Sequence, residues 1–307
     1  MAQAYNKVYF GDRVVDEAQA GLKITSSAVL YGLSVYTVFP VCVTDTGKRA
    51  AFRLPEHFAR LCNSAHIIGI DTFAAEWSYQ RFAAAVGELL AATAPTTDVF
   101  VRATVHVTSD IAGTRSRGLA TTLSMFVYPA ETILHPKGTR LKTSFWRRVP
   151  DYAIPARAKV NGAYVNSVLG KQDALDSGYD DCIFLDGAGH VCELSAANIF
   201  VVREGVVITP DAPSDLLEGI NRRSVIELVR QRLDLPVVER AVDLTELYIA
   251  DEVFATGTSA NIAPIIEIDA RRIATGKPGP VTKQLQTLHA DLIHGKLPDY
   301  TSFLTML

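Results

Sequence analysis

The sequence predicts a mixed α/β protein of two domains, the second of which is rich in strands. Three observations support this prediction. The chain has 307 residues, 48% of them hydrophobic, which is enough to bury a substantial core and to form two domains. Strand and helix patterns alternate in the first third of the chain. After a connector, several strand patterns follow one another with glycine-containing turns between them.

The first domain is predicted over residues 1–129. A hairpin is expected around Gly11-Asp12, because β-branched and aromatic residues stand on both sides of this pair. A helix is expected to begin near Pro55, since proline suits the first turn of a helix. Arg60 falls at the edge of the apolar stripe of that helix, from which it could reach inward. The other elements expected here are strands at 35–43, 98–108 and 120–128 and a helix at 78–92.

Residues 130–138 are predicted to connect the domains. The stretch from Pro129 to Gly138 holds two prolines and a glycine and shows no sustained periodicity. The second domain then covers residues 139–307. Its elements are expected to be a strand at 140–148, a helix at 163–177, hairpins turning at Asp186-Gly187 and at Glu204-Gly205, and a helix that begins after Gly219.

Composition excludes several classes of partner. Thirty basic and 33 acidic side chains give a net charge of −3, and no basic stripe suggests nucleic acid or an anionic membrane. No run approaches the roughly 18 uncharged residues that a membrane span needs, and no secretion signal stands at the start. We therefore expect a cytoplasmic protein. The four cysteines and seven histidines are dispersed without metal-ligand spacing, so no metal is expected.

Lys159 is the candidate reactive group. It stands among small and apolar residues just after Pro155, and a lysine attacks a carbonyl only as the neutral amine, which desolvation favours. The alternative is a surface lysine at the edge of a loop, which is the usual state of a lone lysine. The interpretation of Lys159 as a reactive amine is favoured by an acid at Glu193 and by two glycine-containing tracts, 219–223 and 254–261, whose backbone N–H groups could bind anions.

In this order, these residues resemble the fold-type IV pyridoxal-phosphate enzymes. That family includes branched-chain aminotransferases, D-amino-acid aminotransferases, (R)-amine transaminases and aminodeoxychorismate lyase. The resemblance covers nearly the whole chain and is closest to the branched-chain aminotransferases. Three blocks carry it: Ala-x-Ala-Lys159-x-x-Gly-x-Tyr164-x-x-Ser167, Leu217-Glu-Gly219-Ile220-Asn-Arg222, and Thr245-Glu-Leu-Tyr-x-Ala-Asp251-Glu-Val-Phe254-x-x-Gly257-Thr258.

The resemblance implies a role for each candidate residue. Lys159 would form the Schiff base and move protons, Tyr164 would bind the phenolic oxygen of pyridoxal phosphate, and Glu193 would keep its ring nitrogen protonated. The residues implied to hold the phosphate are Arg60, Gly219, Ile220, Asn221 and Thr258. The residues implied to contact the substrate are Tyr31, Tyr36, Phe100, Arg102, Ser259 and Ala260.

Two departures from the amino-acid aminotransferase pattern affect the substrate. The family usually shows an aromatic residue followed by Glu-Gly-x-Arg, whereas this chain has Tyr36-Thr-Val-Phe-Pro40, similar to the (R)-amine transaminases. Phe100 replaces a frequent tyrosine, although Arg102 is retained. Two readings therefore remain. One is transfer of the amino group from branched-chain or aliphatic L-amino acids to 2-oxoglutarate with ping-pong kinetics. The other is an (R)-selective amine:pyruvate transaminase, or an enzyme with both activities.

Two further alternatives are less favoured. A lyase of the same fold would be expected to show additional basic residues near the site. A non-catalytic binding relative would be expected to lack Lys159 or Glu193, and both are present. The resemblance also implies small-molecule donors and acceptors, and a homodimer or higher homo-oligomer in which the small domain of the neighbouring subunit completes the substrate pocket.

Overall fold

The computed structural model describes residues 3–307. Its strands are β1 (Lys7–Phe10), β2 (Arg13–Asp16), β3 (Ser34–Val43), β4 (Arg49–Phe52), β5 (Val99–Val107), β6 (Thr121–Pro129), β7 (Thr139–Thr143), β8 (Asp181–Leu185), β9 (Val191–Leu194), β10 (Asn198–Arg203), β11 (Val206–Thr209), β12 (Val237–Glu239), β13 (Glu252–Gly257), β14 (Asn261–Ile268), β15 (Arg271–Arg272) and β16 (Leu304–Met306). Its helices are α1 (Ser27–Leu30), α2 (Leu54–Ile67), α3 (Thr72–Glu76), α4 (Tyr79–Thr93), α5 (Tyr164–Asp176), α6 (Ile220–Arg232), α7 (Leu244–Tyr248) and α8 (Pro280–Ile293). This content confirms the mixed α/β prediction. The first two residues of the predicted first domain lie outside the described part of the chain.

Two compact units divide the chain. The first contains residues 1–131, 158–162 and 292–307, and the second contains residues 132–157 and 163–291. The first change of unit falls within the connector predicted at 130–138. Residues 158–162 and 292–307 also belong to the first unit, because they contact residues that are far away in the sequence. A division of the sequence into consecutive domains could not predict this. Between residues 3 and 307, none of the helices combines the length and the apolar character that crossing a membrane requires.

The first unit is built on a seven-stranded antiparallel sheet with the order β16-β4-β3-β5-β6-β1-β2. The predicted hairpin at Gly11 is confirmed as the turn between β1 and β2. Helices α2 and α4 pack on the sheet through aromatic rings, with Phe82 5.1 Å from Phe58 and 6.3 Å from Phe39 between ring centroids. Helix α2 begins where the sequence predicted, with Pro55 in its first turn. This packing fixes the helix that carries Arg60 against β3.

The second unit is built on a sheet that closes on itself. Strands β10, β13, β14, β7, β8 and β9 are paired in that order, and β9 pairs back to β10 through Glu193 and Asn198. The hairpin predicted at Glu204-Gly205 is confirmed, with positive φ at both residues (52° and 78°), as a two-residue turn of type I′ requires. The strand-rich character predicted for the second domain is therefore confirmed.

Some sequence predictions were wrong in extent or missed elements. The strand predicted at 140–148 ends at Thr143, because the Ser144 hydroxyl accepts a hydrogen bond from the Trp146 N–H (3.0 Å) and turns the chain. Helices α7 and α8 and the last strand, β16, were not predicted. Strand β16 has only three residues, too few for a sequence pattern, and it forms because it pairs with β4.

Candidate active site

Lys159 lies in the segment 158–162, which belongs to the first unit. The Tyr36 N–H donates a hydrogen bond to the Lys159 carbonyl (3.0 Å), and the Lys159 N–H donates to Ser64 Oγ (3.0 Å). Val160 forms an additional bridge to Val35 on β3. The half-buried lysine is thus held between a strand and helix α2. A fixed backbone of this kind suits a positioned reactive amine better than a lysine at the edge of a loose loop.

The ring of Tyr36 brings two cationic side chains of the first unit together. Lys159 Nζ lies 4.9 Å from its centroid, and the Arg102 guanidinium lies 3.7 Å from it, both within the range of cation–π contacts. Arg102 also donates to Asn161 Oδ1, and Asn161 Nδ2 donates to Ser34 Oγ (2.7 Å). Three residues singled out in the sequence are therefore neighbours. Asn161 was missed because it occupies a position that the motif leaves variable.

Arg60 reaches inward from α2, as its place on the helix stripe predicted. Its guanidinium donates to Thr37 Oγ1 on β3 (3.2 Å). Its backbone carbonyl accepts a hydrogen bond from Ser64 Oγ (2.8 Å), and Ser64 is also the residue that accepts from the Lys159 backbone. One turn of α2 thus organises both the arginine and the lysine segment.

The remaining substrate candidates of the first unit are Tyr31 and Phe100. Tyr31 is 49% exposed and directly follows α1. Phe100 is only 2% exposed, and its ring packs on Tyr128 with 5.6 Å between centroids. Phe100 and Arg102 are alternate residues of β5, so they face the same side of the sheet. On the neighbouring strand, the buried Pro40 pairs with Phe100. The row beside Arg102 is therefore apolar.

His106 continues the same face of β5. Its Nε2 lies 2.8 Å from Ser124 Oγ. Burial, and secondly the nearby positive charge of Arg102, lower the pKa of His106 to about 4, because both disfavour the charged imidazolium. The histidine is accordingly neutral at physiological pH. Sequence spacing gave no indication of this perturbed group.

Glu193 on β9 is the buried acid of the second unit. It is 6% exposed, and its Oε1 forms an ion pair with Arg148 at 2.9 Å. Its Oε2 accepts hydrogen bonds from Asn198 Nδ2 (3.2 Å) and from the Leu217 N–H (3.3 Å). Each of these partners is a donor, so the carboxylate oxygens act as acceptors, as those of an ionised carboxylate do. Such a carboxylate could bind a protonated ring nitrogen.

The N-terminus of α6 lies directly beside this acid. Gly219 is the N-cap residue, and no side chain from residues 3–307 caps the helix. A Cβ at Gly219 would lie 2.2 Å from Asn198 Oδ1, so only glycine permits this approach. Ile220 and Asn221, the first residues of α6, are buried, and Asn221 Oδ1 has no hydrogen-bond partner within the described part of the chain. Uncapped N–H groups and an unsatisfied buried amide are what a phosphate-binding helix start would offer.

The second glycine-containing tract forms the turn between β13 and β14. Thr258 and Ser259 are half-buried, and Ala260 is buried. A Cβ on Gly257 would lie 3.1 Å from the Ala196 carbonyl oxygen, which brings this turn against the loop that follows Glu193. The structure therefore gathers the acid, the start of α6 and the Thr258 turn in one region of the second unit.

Tyr164 is the first residue of α5 and is half-buried. Two residues further on, Asn166 Nδ2 donates to the Arg147 carbonyl (3.0 Å), and the Val149 N–H donates to Asn166 Oδ1 (3.3 Å). These bonds attach the start of α5 to the segment that carries Arg148, the partner of Glu193. Sequence reasoning missed Arg148 because it lies 45 positions before Glu193 in an ordinary Arg-Arg pair.

One group of possible metal ligands lies in the first unit. The ligand atoms of Cys42, Asp98 and His294 are within 4.8 Å of one another. Both carboxylate oxygens of Asp98 already have donors, with Oδ1 accepting from the Val43 N–H (2.9 Å) and Oδ2 lying 2.8 Å from His294 Nε2. Burial raises the pKa of the Cys42 thiol to about 12, so the thiol is protonated. These contacts account for the group as a structural link, and the dispersed sequence positions gave no sign of it.

Comparisons with known proteins agree with this architecture. Residues 35–268 match the family described as Amino-transferase class IV. A probable branched-chain-amino-acid aminotransferase of Aquifex aeolicus is 34% identical, covering 97% of this chain and 95% of its own. The branched-chain-amino-acid aminotransferase of Pseudomonas aeruginosa is 33% identical, covering 100% and 99%.

Solved structures show the same similarity. The branched-chain aminotransferase of Thermoproteus uzoniensis, crystallised with norvaline, has a TM-score of 0.92 at 32% identity, and 99% of each chain is covered. The branched-chain amino acid aminotransferase of Thermobaculum terrenum, in its PLP-bound holo-form, has a TM-score of 0.92 at 30% identity, with 99% of this chain and 98% of that chain covered.

The fold and the chemistry of these residues define a pyridoxal-phosphate enzyme of fold type IV. The chain belongs to the class IV aminotransferases. Its cofactor is pyridoxal phosphate, as for the family. The residues present fit this group: Glu193 offers a buried acceptor, the uncapped start of α6 offers N–H donors, and the buried Asn221 Oδ1 beside them has no hydrogen-bond partner within the described part of the chain.

Proposed function

We propose that the protein transfers the amino group of branched-chain or aliphatic L-amino acids to 2-oxoglutarate. The observation that carries the proposal is the buried Glu193 carboxylate, held by Arg148 and Asn198, because an ionised acid is what a protonated pyridine ring needs opposite its nitrogen. The substrate class is supported by relatives named as branched-chain aminotransferases over nearly the full length of the chain.

The residues of this chain divide the work between them. Bound pyridoxal phosphate supplies a carbonyl that captures the substrate amine and a ring that accepts an electron pair. Lys159 would be the Schiff-base lysine, and its Nζ would move a proton to and from the substrate Cα. Glu193 would hold the proton on the ring nitrogen, and the Tyr164 hydroxyl would donate to or accept from the phenolic oxygen. Arg60, Thr258 and the backbone from Gly219 to Asn221 would bind the phosphate.

The substrate carboxylate requires its own donors. We assign this role to Arg102 and to the N–H groups of the turn from Thr258 to Ala260. Tyr36 and Tyr31 contribute further contacts to the substrate. Because the amino donor leaves as a 2-oxo acid before the acceptor binds, initial rates measured against both substrates should give the parallel lines of a ping-pong reaction.

Reduction with borohydride tests the central residue. The purified protein should be yellow with its cofactor, and peptide mapping after reduction should locate the pyridoxyl group on Lys159. A Lys159→Ala variant should bind the cofactor but lose about four or more orders of magnitude in rate, since it lacks both nucleophile and general base. An adduct on another residue, such as Lys142 or Lys171, would contradict the assignment.

A second activity is favoured by the apolar row beside Arg102. Pro40 stands where the family usually has arginine, and it pairs with Phe100 in the interior of the sheet. Such a surface accepts an aryl or alkyl group better than a second carboxylate. We therefore propose additional activity toward (R)-1-phenylethylamine with pyruvate and none toward the (S) enantiomer. Absence of activity with the (R)-amine would leave the amino-acid reaction as the only function.

We also propose a homodimer. Two exposed apolar side chains of the first unit lie on neighbouring segments: Ile24 is 80% and Ile111 is 75% exposed, and the Ile111 N–H donates to the carbonyl of Thr25, the residue after Ile24 (3.0 Å). A second copy of this chain could cover such side chains. Light scattering should give twice the mass of the chain, and a monomer would refute the proposal. The cytoplasmic location expected from the sequence remains a prediction.

A further inference from the structure

A buried hydroxyl connects Arg60 to a histidine that the proposed mechanism does not use. Thr37 on β3 and His57 on α2 are both 0% exposed. Thr37 Oγ1 lies 2.8 Å from His57 Nδ1, and the Arg60 guanidinium donates to the same oxygen at 3.2 Å. All three residues belong to the first unit. The hydroxyl therefore has one partner on either side.

Chemistry fixes one direction in this group of contacts. A guanidinium only donates, so Thr37 Oγ1 is the acceptor toward Arg60. The contact between Thr37 Oγ1 and His57 Nδ1 is a second hydrogen bond, in which the donor depends on the tautomer of His57. With either tautomer, the buried Thr37 side chain is held by His57 on one side and contacts Arg60 on the other.

We propose that Thr37 and His57 are positioning residues for Arg60 and thereby set the affinity of the protein for the phosphate of pyridoxal phosphate. This inference rests on the proposed role of Arg60. An arginine side chain loses considerable rotamer freedom when it is fixed on a ligand. Hydrogen bonding to a hydroxyl that is itself buried and oriented removes part of that freedom before the ligand arrives.

Residue 37 distinguishes this chain from the amino-acid aminotransferases that it resembles. The resembling amino-acid aminotransferases usually have a glutamate in the position of Thr37. A carboxylate there would place a negative charge beside the guanidinium, whereas the Thr37 hydroxyl orients Arg60 without adding one. His57 completes the arrangement, because its hydrogen bond with Thr37 Oγ1 holds the threonine side chain in place beside Arg60.

Thr37→Val is the main test, because valine has the shape of threonine without the hydroxyl. Dissociation constants are measured for pyridoxal phosphate and for pyridoxal, which has the same aldehyde and ring but lacks the phosphate. Thr37→Val should weaken binding of pyridoxal phosphate about fivefold, the effect of one net hydrogen bond, and should change binding of pyridoxal less than twofold. Thr37→Ser, which retains the hydroxyl, should have the wild-type ratio of the dissociation constants for pyridoxal and pyridoxal phosphate.

A double-mutant cycle and a second variant complete the experiment. In an Arg60→Ala background, Thr37→Val should cause no further loss of phosphate-dependent affinity, because its effect passes through Arg60. His57→Leu removes the imidazole that contacts Thr37 Oγ1 but keeps the Thr37 hydroxyl, and it should weaken binding of pyridoxal phosphate more than binding of pyridoxal, as Thr37→Val does. This variant also provides the test should Thr37→Val fail to fold, as judged by circular dichroism.

Three results would overturn the inference. Equal losses for pyridoxal phosphate and pyridoxal would show a general structural role for Thr37. An unchanged ratio of the two dissociation constants in the folded variants, with normal binding by the wild type, would refute this inference alone. Failure of the wild-type protein to bind pyridoxal phosphate would refute the proposed function and this inference together.

Discussion

Replacing Gly219 with alanine should weaken cofactor binding strongly. The new Cβ would lie 2.2 Å from Asn198 Oδ1, so Asn198 or the start of α6 must move. Asn198 Nδ2 then loses its bonds to Glu193 Oε2 (3.2 Å) and to the Leu217 carbonyl (2.9 Å). A hydrogen bond to a charged group contributes about 1.5–3 kcal/mol and a neutral one about 1 kcal/mol. After partial relaxation we expect a loss of roughly 2–4 kcal/mol, or about 30- to 700-fold in affinity.

The measurement is an absorbance titration of cofactor-free protein with pyridoxal phosphate. Gly187→Ala is the matched control, because it makes the same change in the same unit where a Cβ meets nothing within 4 Å among the described residues. Thermal unfolding of the cofactor-free variants separates a binding defect from a folding defect. If Gly219→Ala binds the cofactor as tightly as Gly187→Ala, then neither the start of α6 nor the support of Glu193 contributes to the site as argued.

Three further predictions concern single side chains. Glu193→Gln should lower the rates of both half-reactions, because an amide cannot hold a proton on the ring nitrogen; unchanged rates by stopped-flow absorbance would remove Glu193 from the mechanism. Phe100→Tyr should shift the ratio of amino-acid to (R)-amine turnover toward amino acids, by about tenfold at most; a shift toward amines would contradict the assigned pocket. Because the pKa of His106 is lowered from 6.5 to about 4, the unfolded chain takes up this proton first as the pH falls. Urea unfolding should therefore show that wild type loses up to about 3 kcal/mol more stability than His106→Gln between pH 6.5 and 4, and parallel curves would refute the shift.

Local features of the fold were predictable from the sequence. The turn at Glu204-Gly205 followed from a glycine, which adopts positive φ readily, between two strand-forming runs. The start of α2 followed from Pro55 and an apolar stripe of helical spacing. In each case the residues that decide the structure are neighbours in the chain, so a short window of sequence contains the cause.

The candidate site was predictable only in part. Lys159 and Glu193 stand in distinctive blocks, whereas Arg148 has no local signal, and its role depends on a fold that brings residues 148 and 193 within 2.9 Å. The sequence drew attention to the strand from Tyr36 to Pro40 as a determinant of substrate. It did not show that Thr37 lies between Arg60 and His57, because that arrangement arises from the packing of α2 on β3.

The narrow closure of the second sheet has a consequence for how the protein retains its cofactor. Strands β9 and β10 are joined by a single residue pair, Glu193 with Asn198, and the same two side chains support the proposed ring-nitrogen contact. Local separation of β9 from β10 would free Glu193 from Asn198. A ligand that binds only when the two strands are paired must oppose that separation. Cofactor affinity and the resistance of the backbone amides of β9 and β10 to hydrogen exchange should therefore rise together. The cofactor would then stabilise the closure of the sheet that binds it.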